Sequence, residues 1–112
     1  MAGPLSGLLS RRKTVILDGA LGTLLEERGV PSGLPLWSAN ALIAEPAAVS
    51  TLHEDYIRAG ADIITTATFR TTRRMFQRAG LPDRSAELTE LAVRLAKEAK
   101  KTWPDRGVLI GG

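Results

Sequence analysis

The 112-residue chain contains no cysteine. That excludes a disulfide framework and any cysteine-based metal site within these residues. Histidine is nearly absent too. The single one, His53, stands beside Glu54 and Asp55 in a stretch that reads as helix, where a lone histidine is structural rather than a ligand. No apolar run approaches the roughly 18 residues that a membrane-spanning helix needs. Neither the G-x-G-x-x-G fingerprint nor a Gly-Lys-Thr phosphate loop occurs, so a nucleotide cofactor is not indicated. Charge of one sign is lacking as well. The net charge is only +3 and the signs are mixed along the chain, as on a solvated surface rather than a nucleic-acid footprint. The opening "MAGPLSGLLSRRK" has a weak apolar centre followed by basic residues. A secretory signal would carry its charges first and a longer apolar core. Residues 1–13 therefore read as a flexible leader, and a cytoplasmic location is the default expectation.

What is present is a set of short apolar runs separated by helical patterns. Thr14 to Leu17 reads as a buried strand. Leu21 to Arg28 reads as a helix, with Leu21, Leu24 and Leu25 on one face and Gly29 at the C-terminal cap position. "VPSGLPLW" is loop. A second helix is expected from Pro46, with proline in the first turn, to Gly60. "ADIITTATF" holds a second buried strand around Ile63 and Ile64. A short helix follows, capped at Thr71 or Thr72 and stopped at Gly80. The plainest helix is "RSAELTELAVRLAKEAKKTW", with Leu88, Leu91, Ala92, Leu95, Ala96 and Ala99 in one stripe and lysines near its end. "DRGVLIGG" gives a third apolar strand.

Strands that are apolar on both faces and separated by helices predict a parallel sheet. Both a (β/α) barrel and a doubly wound sheet satisfy that order. A third apolar strand ending the run would be an exposed edge, and a complete (β/α)8 barrel takes about 250 residues. The expectation is α/β: three βα units forming the first third of a TIM barrel over residues 14–112.

In parallel α/β folds, ligands bind at the carboxyl ends of the strands. The residues at those ends are Asp18-Gly19, the segment Thr65 to Arg70, and Gly111-Gly112. Asp18 is equally readable as a helix N-cap and as a ligand-binding carboxylate. Gly19 leaves room for close approach. Trp37 is readable as a lid over a small site or as a loop anchor on the core.

The segments "ILDGALGTLLEERG", "LWSANALIAEPAAVSTLHEDYIRAGADIITTATFRTT" and "VLIGG" closely resemble the homocysteine S-methyltransferase family. The shared motifs are a D-G-[AG]-x-[AG]-T turn, an L-W-S-A loop, an H-x-x-Y-x-x-A-G-A-D joint and a T-x-T-F strand end. The resemblance covers nearly all of the chain after Lys13. It implies a (β/α)8 barrel that binds homocysteine at its C-terminal rim and moves a methyl group to the thiol, giving methionine. It also implies zinc, because a metal-bound thiol is deprotonated and the thiolate is the nucleophile. By the same resemblance Asp18, Gly19, Thr66 and Phe69 match homocysteine-contacting or pocket-lining positions, and Arg70 takes the next one. Trp37 matches a loop aromatic near the methyl donor, while His53 and Tyr56 look like helix-packing residues.

This chain departs from the family in its metal ligands. The family's zinc ligands are cysteines late in the barrel, including a Gly-Gly-Cys-Cys segment, and this chain has none. The expectation is the N-terminal portion of such an enzyme, inactive by itself and expected to fold poorly alone, since barrel-lining faces lack partners. The competing readings are a non-catalytic relic or interaction module and, more weakly, a small doubly wound nucleotide-binding domain. The expected partners are homocysteine and a small methyl donor, with neither nucleic acid nor membrane.

Overall fold

The computed structural model describes residues 3–12 and 14–112. Met1, Ala2 and Lys13 of the expected leader lie outside the described residues. Between them, Pro4–Arg11 forms helix α1, started by proline in its first turn. Its Leu8 is buried while Leu5 and Leu9 face out.

Two strands follow in the sheet, β1 (Ile63–Thr65) and β2 (Leu109–Gly111), paired in parallel with Ile63 opposite Leu109 and Ile64 opposite Ile110. The expected first strand is reduced to a single parallel bridge between Leu17 and Ile63. The chain still runs along β1: the Asp62 and Ile63 amides donate to the Ile16 carbonyl, and the Asp18 amide donates to the Ile63 carbonyl. It is not buried as expected, for Ile16 and Leu17 are exposed. Only one of its edges has a neighbour among the described residues, and the sheet has two strands rather than the three that three βα units would give.

Alternation along β1 explains the two faces of this small sheet. Ile64 points to the helices and is fully buried with Val108, Ile57, Ala96 and Ala99. Leu17, Ile63 and Leu109 share the opposite face, which no described helix covers.

Helices α2 (Gly22–Glu27), α3 (Ala39–Ala44), α4 (Pro46–Ala59), α5 (Arg73–Arg78) and α6 (Ser85–Lys101) complete the fold. The pair α4 and α6 forms its backbone, since the Leu88, Ala92 and Leu95 stripe of α6 joins Val49 and Leu52 of α4 in the larger core. Helix α3 is not foreseen from sequence. It is only six residues long and gives no periodic signal. Its Ala39, Ala41 and Leu42 are nevertheless buried, and Glu45, held out of the helical region before Pro46 at φ −146° and ψ 69°, separates it from α4.

The expected stops fall where glycine permits a left-handed residue. Gly60 ends α4 at φ 114°, where the Ala61 amide reaches back to the Tyr56 carbonyl and the Gly60 amide to Ile57. The Arg106 guanidinium donates to the Ile57 and Ala61 carbonyls at the same end. Thr72, not Thr71, caps α5 by accepting the Met75 amide at 3.3 Å. Thr71 is buried instead. Its hydroxyl donates to the Thr68 carbonyl, and its carbonyl accepts from Ser85 and Thr89 of α6. The loop after β1 is thereby braced against α6.

Candidate functional site

The site lies at the carboxyl end of the sheet, where a cavity of about 400 Å³ is lined by Asp18, Gly19, Trp37, Thr65, Thr66 and Phe69 among others. Each of these residues has a distinct task there.

Asp18 does not cap α2. The N-cap position there is Leu21 and no side chain bonds to the helix end. The Asp18 carboxylate instead accepts the Thr65 amide at 2.8 Å and the Thr65 hydroxyl at 3.0 Å. It thus continues the pairing of β1 with a side chain where the backbone ladder stops. Each carboxylate oxygen accepts one bond and keeps further acceptor capacity toward the cavity.

Gly19 is demanded by Tyr56. A Cβ at Gly19 would lie 3.0 Å from the Tyr56 hydroxyl oxygen and 3.4 Å from its ring. That hydroxyl donates to the Ala20 carbonyl at 2.5 Å. Tyr56 therefore clamps the Asp18–Ala20 turn from beneath. Burial raises the Tyr56 pKa, with the Asp18 carboxylate adding to it and Arg28 opposing. The hydroxyl stays a donor at neutral pH.

One turn earlier on α4, His53 is fully buried, and both ring nitrogens are without a hydrogen-bond partner among the described residues. Desolvation lowers its pKa and the negative Asp18 opposes that shift. The ring is neutral at pH 7 and packs as an apolar body.

Thr66 is buried, with its amide donating to the Gly111 carbonyl at 2.9 Å and its hydroxyl sharing a 2.8 Å bond with Thr68. A Cβ on Gly112 would sit 2.1 Å from the Thr66 hydroxyl oxygen, so the backbone after β2 approaches Thr66 only as glycine. Phe69 stands 82% exposed at the rim. In the loop before α3, the core anchor is Leu36, 3% exposed, rather than Trp37, 50% exposed. Trp37 takes a left-handed φ of 48°, rare for a bulky residue. Asn40 holds that turn by donating to the Gly33 and Trp37 carbonyls. Of the residues singled out from sequence, Asp18, Gly19, Trp37, Thr66 and Phe69 line one cavity. Arg70 does not line it but lies against the rings of Trp37 and Phe69.

Thr65 and Tyr56 carry more of the site than the sequence suggests. Strand alternation is the available signal for Thr65, which shares the open face with Ile63 while Ile64 is buried. Nothing in the sequence marks the contact between Gly19 and Tyr56, which arises only when α4 packs beside the first turn.

The residues present do not fit a zinc site. Cysteine is absent from the sequence, and among the described residues no three His, Asp or Glu side chains are grouped to hold a metal ion. Among the described residues no helix is long and apolar enough to cross a membrane.

A carboxylate and hydroxyls gathered at the carboxyl end of a parallel sheet define an α/β protein with a candidate small-molecule site at its strand ends. The sequence pattern of the homocysteine S-methyltransferase family matches residues 15–112, and the chain belongs to that family. It is 37% identical over 112 residues to the homocysteine S-methyltransferase of Escherichia coli (strain K12), an alignment covering 96% of this chain and 36% of that protein. It is 40% identical over 92 residues to the selenocysteine Se-methyltransferase of Brassica oleracea var. italica, covering 81% of this chain and 27% of the relative. The fold superposes on the metallated form of the E. coli homocysteine methyltransferase MmuM with a TM-score of 0.88 at 36% identity, over 96% of this chain and 40% of that one. The chain thus spans about a third of the length of these relatives.

Proposed function

We propose that this chain supplies the homocysteine-facing part of a methyltransferase that moves a methyl group onto the homocysteine thiol, giving methionine. The observation that carries the proposal is the Asp18 turn: a carboxylate fixed by Thr65 and clamped from below by Tyr56, open to a cavity at the strand ends. In a chain of this family, that arrangement suits the ammonium group of an amino acid. The carboxylate accepts from the ammonium, a charge-assisted bond, and the fixed Thr65 contacts keep it from turning away. Thr66, Phe69 and Trp37 bound the rest of the ligand, Arg70 lies against the two rings at the edge, and Gly19 keeps the floor of the turn low.

The barrel belongs to this proposal too. The uncovered face of Leu17, Ile63 and Leu109 suits the interior of a (β/α)8 barrel of which these elements form the opening portion. The acceptor sulfur must be a thiolate to attack a methyl group. Zinc would supply that activation when bound, and the metallated form of the E. coli relative supports a metal in the reaction. The cysteines to bind zinc are not in this chain, so the 112 residues by themselves should transfer no methyl group. Radiolabelled methyl transfer from S-methylmethionine to homocysteine by the purified 112-residue chain would contradict this. A cytoplasmic setting completes the reading. Homocysteine titrated into the protein in a calorimeter tests the binding role directly, with saturable heat expected.

A further inference from the structure

Arg70 lies behind the aromatic residues of the cavity, in a setting that packing alone does not explain. Its guanidinium lies 5.5 Å from the Trp37 ring centre and 5.7 Å from that of Phe69. Both rings line the cavity that Asp18 opens into. Among the described residues no carboxylate pairs with Arg70. One terminal nitrogen makes a long contact to the Pro35 carbonyl at 3.5 Å and a weak one to the Met75 thioether sulfur at 3.4 Å. Its Nε is buried with no hydrogen-bond partner. A guanidinium is a rigid fork of donors matched to a carboxylate, and a half-buried one is rarely left without an anion. The loop that presents it is fixed, since Thr71 is buried and bonded to Ser85 and Thr89 of α6.

We infer that Arg70 reads a ligand carboxylate at the rim of this site, and that the Trp37 and Phe69 rings orient the guanidinium rather than receiving an onium cation. Cation–π attraction favours one positive charge over these faces, and Arg70 already supplies it. A second cation, sulfonium or quaternary ammonium, would meet like-charge repulsion there. With the negative Asp18 on the same cavity, the site has complementary groups for both ends of an amino-acid zwitterion. This inference rests on the homocysteine reading above. The carboxylate belongs either to homocysteine or to an amino-acid methyl donor.

The test is calorimetric titration of the purified protein, Arg70→Met and Arg70→Lys. The probes are homocysteine and S-methylmethionine, each beside its decarboxylated counterpart. Arg70→Met should weaken at least one carboxylate-bearing probe by about tenfold or more and leave its decarboxylated counterpart unchanged. Arg70→Lys should recover part of the loss, because it keeps the charge but not the fork. The probe that responds identifies the source of the carboxylate. Equal losses for probes with and without the carboxylate would overturn the inference, showing that Arg70 only braces the loop. So would unchanged affinities, or no carboxylate probe binding at all. Arg70-dependent binding of S-methylmethionine without any binding of homocysteine would support the inference and contradict the proposed function.

Discussion

At the scale of single residues, the site depends on contacts that leave little slack. The Tyr56 hydroxyl cannot retreat from a Cβ at Gly19 without leaving the Ala20 carbonyl. Gly19→Ala should therefore destabilise the protein by about 1–3 kcal/mol, the usual cost of overpacking, measured as a lowered midpoint in urea. Tyr56→Phe together with Gly19→Ala should recover part of that loss, since the clashing oxygen is gone. His53 makes a different prediction. Its folded-state pKa is lowered by burial, so the unfolded chain binds the proton more readily. Stability should be full above the unfolded value of about 6.5 and fall as pH drops below it toward the folded value. Urea midpoints measured from pH 7.5 down to pH 5 should show this slope, and His53→Leu should flatten that part of it. A slope unchanged by His53→Leu would assign it to other groups. Asp18, Thr66 and Phe69 are legible in the sequence because strand ends locate ligand sites in parallel α/β folds. The cap-or-ligand ambiguity at Asp18 is not resolvable there, since only β1, far away in sequence, shows that the carboxylate belongs to Thr65.

At the scale of elements, glycine and proline make the helices readable. The stops at Gly29, Gly60 and Gly80 and the start at Pro46 all fall at the ends of helices or just beyond them. Helix α3 escapes the sequence, whereas Thr14 to Leu17 reads as a strand and pairs as one at a single bridge. The former is too short for a periodic pattern, and the latter has strand-like residues but one partner only. The sheet's other end is set by Asp62, 7% exposed, which accepts the Ile16 amide at 2.9 Å and pairs with Arg12. Asp62 thus ties α1 and the first turn's approach to β1. Removing it leaves a backbone donor without its partner. Asp62→Ala should cost about 2–3 kcal/mol, and hydrogen exchange of the Ile16 amide should quicken. The N-cap at Thr72 is simpler: Thr72→Ala should cost about 1 kcal/mol by the same denaturation assay.

At the scale of the whole molecule, the question is what the open face of the sheet meets. Leu17 is 63% exposed beside Ile63 and Leu109, an apolar surface that no helix among the described residues covers. If it is a barrel interior, the 112 residues on their own should bind a hydrophobic dye and self-associate, seen by fluorescence and light scattering. A monodisperse, dye-silent chain with a cooperative melt would favour a self-sufficient interaction module instead.

The central claim is that the Asp18 turn holds the amino-acid end of homocysteine. Asp18→Asn tests it most directly, because asparagine can still accept the Thr65 amide while the negative charge is lost. Homocysteine affinities of the protein and this variant should be compared by calorimetry, with unfolding midpoints as a check on the fold. The expected result is at least about tenfold weaker binding in Asp18→Asn with little change in stability. Equal affinities in the two proteins, or no homocysteine binding by either, would contradict the account.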